Sequence, residues 1–296
     1  MKATTPDTDK LQGLEQHLAD QIIGQPNVLP DVVDALLDGE LGLTDPSRPK
    51  GTFLFLGPTG VGKTELTLAF TRHLFGEGHL VRLDMSEFQN QESVGVLLGR
   101  TENESGLLAK RIEQACCRGT LLLDEIEKAH PRVLDLLLQI LDAARVTMAN
   151  GKTYDLSEFY VVCTSNIAGR AVLSAQHSVR ATLVRFVESQ AQAQLRPEIF
   201  ARFQVAAVFD RLDYAAQLKI AKHMLDREIE RQEAGGEIAI SYNSEMVTYL
   251  AGEGFHPRLG ARPLRRFIER TVRGALRANL LGNRADQINL HPIIAK

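Results

Sequence analysis

Eight residues, Gly57 to Thr64, read GPTGVGKT and follow an apolar run, Thr52 to Leu56, whose pattern predicts a strand. Residues of these types at this spacing hold phosphate. Gly57, Gly60 and Gly62 let the backbone turn tightly so that its N–H groups face the β- and γ-phosphates of a nucleotide; Lys63 neutralises charge and Thr64 offers a hydroxyl to Mg²⁺. Pro58, Thr59, Val61 and Glu65 share the turn and the start of the following helix and are assigned to the same ATP site. A second chemical element is the run Leu121 to Glu125, an apolar strand whose carboxyl end presents two adjacent acids. Asp124 is suited to hold the metal through its water shell and Glu125 to polarise the attacking water. Alone, two acids at a strand end are a polar exit; beside a phosphate loop they read as catalytic. Third, Thr164-Ser165-Asn166 ends another apolar run, where the Asn166 amide is placed to reach the γ-phosphate or the water. An asparagine there is otherwise a turn residue.

These groups need a scaffold that collects strand ends on one edge. Apolar strands alternate with helical patterns: strands at Thr52 to Leu56, Leu80 to Asp84, Thr120 to Leu123 and Tyr160 to Thr164, and helices at Gly62 to Leu74, Gly106 to Cys117 and Pro131 to Ala143. That alternation predicts an α/β domain, a parallel sheet sandwiched by helices. Residues 1 to about 20 read as a lead-in helix, followed by IIGQ (22 to 25) and a helix from about Asn27 to Leu37. Between Arg145 and Leu156, Asn150-Gly151 predicts a hairpin turn. After about Phe209 long helical patterns take over (Tyr214 to Gln232, Ser244 to Glu253, Ala261 to Leu281), with strand-like pieces at Ile238 to Ser241 and Gln287 to Leu290. The expected division is a large α/β domain over residues 1–208 and a smaller, mainly helical lid over 209–296.

Composition agrees with two packed domains. The 296 residues are 44% hydrophobic and carry a net charge of −3, which gives no global attraction to nucleic acid or anionic membrane. No apolar run approaches the length of about 20 that spans a bilayer, and the polar first residues carry no signal-like core, so a cytoplasmic location is expected. Cys116, Cys117 and Cys163 have no metal-ligand spacing and read as reduced core thiols.

Taken in order, these segments resemble the second ATPase module of the Clp-type ring chaperones, the ClpB and ClpA class of AAA+ proteins. IIGQ (22 to 25), GPTGVGKTEL (57 to 66), LDMSEF (83 to 88), LLLDEIEKAHP (121 to 131), LLLQILD (136 to 142), TSN (164 to 166), LRPEIFARF (195 to 203) and GARPLRR (260 to 266) carry the resemblance. It implies further roles. Arg202 corresponds to an arginine finger that reaches the γ-phosphate bound by a neighbouring subunit, which implies a homo-oligomeric ring, a hexamer. Arg262 resembles the lid sensor that contacts nucleotide, and Ile22 and Ile23 should line the adenine pocket. The implied partner is a protein client or complex that the ring remodels.

The chain also departs from that pattern. Where Clp unfoldases carry a Gly-Tyr-Val-Gly loop that grips polypeptide, GRTENESG (99 to 106) is shorter, charged and without an aromatic. No substrate domain, first ATPase module or coiled-coil insertion is found, and Ala168 to Gln194 lacks the tripeptide with which relatives dock a protease. The hairpin, with Arg145, Lys152 and Tyr154, is left as the expected contact for a client. Two other functions compete with the remodeller. One is a processive unfoldase or disaggregase in which Val96 or Leu97 replaces the missing tyrosine. The other is a DNA-associated ATPase or switch, supported by Arg258, Arg262, Arg265, Arg266, Arg270, Arg273 and Arg277, a cluster that a solvated helix face also explains.

Overall fold

The computed structural model describes residues 8–101, 104–175, 179–234, 238–282 and 285–292. They sort into two compact units, one drawn from Met1–Pro58 and Gly62–Asp210, the other from Thr59–Val61 and Arg211–Lys296.

The larger unit opens with three helices, α1 (Thr8–Gln12), α2 (Leu14–Gln21) and α3 (Leu29–Glu40), where a single lead-in helix and one beginning near Asn27 were expected. There follow β1 (Gly51–Leu56), α4 (Lys63–Phe75), β2 (Leu80–Asp84), α5 (Gln91–Leu98), α6 (Leu107–Gln114), β3 (Gly119–Asp124) and α7 (Pro131–Ala143). The short strands β4 (Arg145–Thr147) and β5 (Thr153–Asp155) precede β6 (Phe159–Ser165), α8 (Gly169–Ser174), α9 (Arg180–Leu195), α10 (Pro197–Phe200) and β7 (Val205–Val208). Five strands form one sheet in the order β2-β3-β6-β1-β7, every neighbouring pair parallel. Continuous burial along β1, β3 and β6 follows from helices covering both faces of a parallel sheet, which is why these strands read as unbroken apolar runs.

Register sets the site. Leu56 pairs with Ser165, and Leu123 with Cys163, so the residues that leave β1, β3 and β6 emerge side by side at the carboxyl edge. Ligand sites of open parallel sheets lie at that edge. At the opposite edge the turn into β3 needs glycine. Gly119 has φ 141°, and a Cβ there would lie 2.0 Å from the His79 carbonyl oxygen. Gly119→Ala is expected to cost more than about 2 kcal/mol of stability, readable as a lowered melting temperature.

The expected hairpin is present, β4 against β5 with Val146 opposite Tyr154 and Gly151 at φ 76° in its turn. Its expected role is corrected in part. Tyr154 is buried, and its hydroxyl donates to Glu113 Oε1 at 2.6 Å on α6; Lys152 Nζ binds the same oxygen at 2.7 Å. Both side chains clamp the hairpin to α6. Leu97 likewise belongs to the core, whereas Val96 is exposed. The charged stretch 99 to 106 connects α5 to α6; its residues 102 and 103 lie outside those described, as do 176 to 178 of the Ala168 to Gln194 stretch. Its two ends close against each other. A Cβ on Gly106 would sit 2.3 Å from the Leu97 carbonyl oxygen, and one on Gly99 2.4 Å from that of Glu104.

Cys163 is a buried thiol whose pKa burial pushes up, but Cys116 and Cys117 are exposed, which corrects the reading of all three as core thiols. Both adopt positive φ, 54° and 56°, in the turn that ends α6, a helix of fewer residues than the apolar pattern suggested.

The smaller unit comprises α11 (Tyr214–Glu233), β8 (Ala239–Tyr242), α12 (Ser244–Gly254), α13 (Arg262–Leu281) and β9 (Gln287–Leu290). Leu225, Leu250, Leu264, Ile268 and Val272 form its core, and β8 pairs in parallel with β9. Asp213 and Asn243 cap α11 and α12 by accepting the N–H of Ala216 and Met246. No helix among the described residues is long and apolar enough to cross a membrane.

Candidate nucleotide site

Between β1 and α4 the backbone turns through Gly57, Gly60 and Gly62, at φ 136°, 76° and 110°. Left-handed backbone at these positions is what glycine supplies, and it aims successive N–H groups to one side. The first turn of α4 adds unpaired N–H groups and its dipole. Thr64 and Glu65 lie in that first turn. Val61 is buried, and Ile22 is buried after α2, 4.0 Å from where a Cβ on Gly62 would stand; Ile23 is half-buried beside it.

Lys63 is buried. Its ammonium donates to the carbonyl oxygens of Gly57 (2.6 Å) and Pro58 (2.7 Å) and to Asn166 Oδ1 (3.1 Å). Burial pushes its pKa down to about 8, against the opposing charges of Glu127, Asp124 and Glu125. The ammonium is therefore held by neutral acceptors inside a ring of carboxylates, poised over the phosphate turn.

Asp124, also buried, accepts three hydrogen bonds. Oδ1 accepts from Thr164 Oγ1 at 2.9 Å and Thr64 Oγ1 at 3.2 Å, and Oδ2 from Arg82 Nε at 2.7 Å. Thr64 in the first turn of α4 and Asp124 at the end of β3, assigned together as metal holders, thus meet. Glu125 follows with φ 58°, an unfavourable backbone for a non-glycine residue that turns its side chain off the strand direction. Its N–H donates to Thr164 Oγ1 at 3.2 Å, its Oε1 accepts from Asn166 Nδ2 at 3.3 Å, and its Oε2 pairs with Lys128. Thr164 joins both acids through one hydroxyl. Thr164→Val keeps shape and removes that hydroxyl, so a stability loss of about 1–3 kcal/mol is expected in denaturant unfolding.

The structure therefore brings together Lys63, Thr64, Asp124, Glu125 and Asn166, as the sequence suggested. It adds four residues that sequence reasoning missed as parts of the site: Arg82, Glu127, Lys128 and Thr164. The available signals were a charged residue inside the apolar run LVRLD and charges two and three positions past Glu125. Arg202 is not in this cluster. It follows α10, pairs with Asp142 at the end of α7, and accepts the Thr52 hydroxyl on its carbonyl at 3.0 Å, beside the amino end of β1. Arg262 opens α13 of the smaller unit with an exposed side chain.

Residues 48–206 match the family described as "AAA domain (Cdc48 subfamily)", and residues 212–290 match "C-terminal, D2-small domain, of ClpB protein". Curated relatives agree. The chain is 36% identical to "Chaperone protein ClpB" of Lactiplantibacillus plantarum over 96% of its own length and 33% of that protein. It is 38% identical to "Chaperone protein ClpB 2" of Parasynechococcus marenigrum, over 93% of this chain and 31% of that protein. A mitochondrial relative, "Chaperone protein ClpB4, mitochondrial" of Arabidopsis thaliana, is 36% identical over 92% of this chain and 30% of its own. The chain spans about a third of the length of these relatives. A phosphate turn, two acids and a polar sensor at one sheet edge, with more than half the chain matching the family, place it: the chain belongs to the AAA domain family and is a Clp-type AAA+ ATPase module.

Proposed function

We propose that this module works as one subunit of a homo-oligomeric ring, a hexamer, that hydrolyses ATP to remodel a protein client or complex. Glycine N–H groups and Lys63 bind the phosphates, Thr64 and Asp124 hold Mg²⁺, Glu125 takes the proton of the attacking water, and Asn166 orients that water or the γ-phosphate. The residues fit the ion, since the Thr64 hydroxyl and the Asp124 carboxylate stand 3.2 Å apart at the end of the turn. Bound there, Mg²⁺ would neutralise charge on the transferred phosphoryl group. Ile22 and Ile23 contact the adenine, and Arg262 senses nucleotide from the smaller unit.

One observation carries the ring. The Arg202 backbone lies beside Thr52, near the start of β1, whereas the phosphate turn leaves its end. Five residues of extended strand separate them by about 16 Å, beyond an arginine's reach, which supports a finger that serves a neighbour's site rather than its own. The absence of an aromatic between Gly99 and Gly106 favours levering on a partner over threading a chain.

ATP hydrolysis per subunit should rise steeply with protein concentration. A rate independent of concentration would count against a shared site. The same assay sorts the client: stimulation by unfolded polypeptide would favour a processive unfoldase, and stimulation by DNA that fades with added salt would favour a nucleic-acid function.

A further inference from the structure

Asn166 lies between two carboxylates, and the reaction as assigned above uses only one. The other, Glu127, belongs to the single 3₁₀ turn Ile126–Lys128, anchored by the buried Ile126. Because Glu125 turns the chain left-handed, residues 125 and 127 both fold back toward the end of β6. Glu127 Oε1 accepts the main-chain N–H of Asn166 at 3.1 Å, while Glu125 Oε1 accepts its side-chain Nδ2 at 3.3 Å. Asn166 Oδ1 in turn receives Lys63 at 3.1 Å. The sensor's side chain is thus held by Lys63 and Glu125, and its backbone by Glu127 at the N–H and by the Gly169 N–H, which donates to its carbonyl at 3.0 Å. Glu127 Oε2 is shielded from solvent and has no hydrogen-bond partner among the described residues. A carboxylate half-satisfied in this way is an unfavourable choice for simply closing a turn.

We infer that Glu127 is a positioning residue for ATP hydrolysis: by holding the Asn166 N–H it sets the Asn166 amide between Lys63 and Glu125, without touching substrate. The inference rests on the role given to Asn166 above. Its mechanism is geometric. Without the Glu127 acceptor the Asn166 N–H loses its partner and the amide shifts, and a displacement of about 1 Å at a group that orients a reactant is enough to cost on the order of 10²-fold in rate.

The test compares steady-state turnover with binding of a fluorescent ADP analogue in Glu127→Ala, Glu127→Gln, Glu127→Asp, Asn166→Ala and the Glu127→Ala/Asn166→Ala double variant. Glu127→Ala should lose about 10²-fold in kcat, with the ADP dissociation constant changed by less than about threefold. Glu127→Gln retains a carbonyl acceptor at the same reach and should recover most of the rate. Glu127→Asp keeps the charge but falls one methylene short, and should behave like the alanine variant. This order separates positioning from a charge effect on Lys63, which would spare aspartate and penalise glutamine. Adding Glu127→Ala to Asn166→Ala should change kcat by less than about twofold, because the positioned group is already gone. Parental turnover in Glu127→Ala, a glutamine variant worse than the aspartate one, or effects that multiply in the double variant would each overturn the inference. If the alanine protein does not fold, the glutamine and aspartate pair decides it. Parental turnover in Asn166→Ala alone would instead remove the role given to that residue, and this inference with it.

Discussion

Glu125→Gln should slow ATP turnover by about 10²- to 10⁴-fold, the range expected for loss of a general base, while nucleotide still binds. The substitution is nearly isosteric. A glutamine carbonyl keeps the acceptor that Asn166 Nδ2 uses at 3.3 Å, so the sensor has no reason to move. What disappears is the charge that draws a proton from water and pairs with Lys128. The groups proposed to bind phosphate, the glycine N–H groups and Lys63, are untouched. Phosphate release measured beside fluorescent-nucleotide binding checks both halves, and full turnover in the variant would remove Glu125 as the base.

The second large effect belongs to Arg202. Arg202→Ala should lower turnover by about 10³- to 10⁵-fold, the contribution of an arginine finger, with nucleotide affinity retained. Loss of its Asp142 partner on a half-exposed surface should change folding stability little. Mixing distinguishes a shared site from a local one. Alone, the Arg202→Ala and Glu125→Gln proteins should each be nearly inactive, yet in a ring assembled from equal amounts of both, about one site in four combines an intact Glu125 with a neighbour's intact Arg202. Recovery of roughly that fraction of parental activity is expected. A mixture as inactive as its components would show that the two residues serve the same subunit.

How much of this was legible before the structure depended on whether a segment buried a face. Leu80–Asp84, Pro131–Ala143 and Gln287–Leu290 have the bounds their patterns predicted, because strong apolar runs or a proline at the first helical position define them. Helix α9 was not read, since only Val187, Ala191 and Leu195 of its sixteen residues are buried and glutamine, serine and arginine fill much of the rest. Strand β7, VAAV, is too short and too rich in alanine to announce itself. Helix α5 begins with an Asn90–Ser93 capping box rather than the Ser/Thr–Glu pairing that a sequence scan seeks. Within the site, Lys63, Thr64, Asp124, Glu125 and Asn166 were visible because motif spacing encodes them. Their supports were not: Arg82 reaches Asp124 from the neighbouring strand, and Thr164 joins Asp124 to the Glu125 N–H, contacts that exist only once β2, β3 and β6 are in register.

The closed neck at Gly99 and Gly106 has a consequence for how such a module changes. Since the chain leaves and re-enters at abutting backbone, lengthening the stretch between the two glycines should leave the scaffold's own contacts in place. Loop-closure entropy grows only by about 0.6 kcal/mol for each doubling of length. A longer segment carrying an aromatic side chain is therefore transplantable between these two glycines with the sheet, the phosphate turn and the hydrolytic groups left as they are.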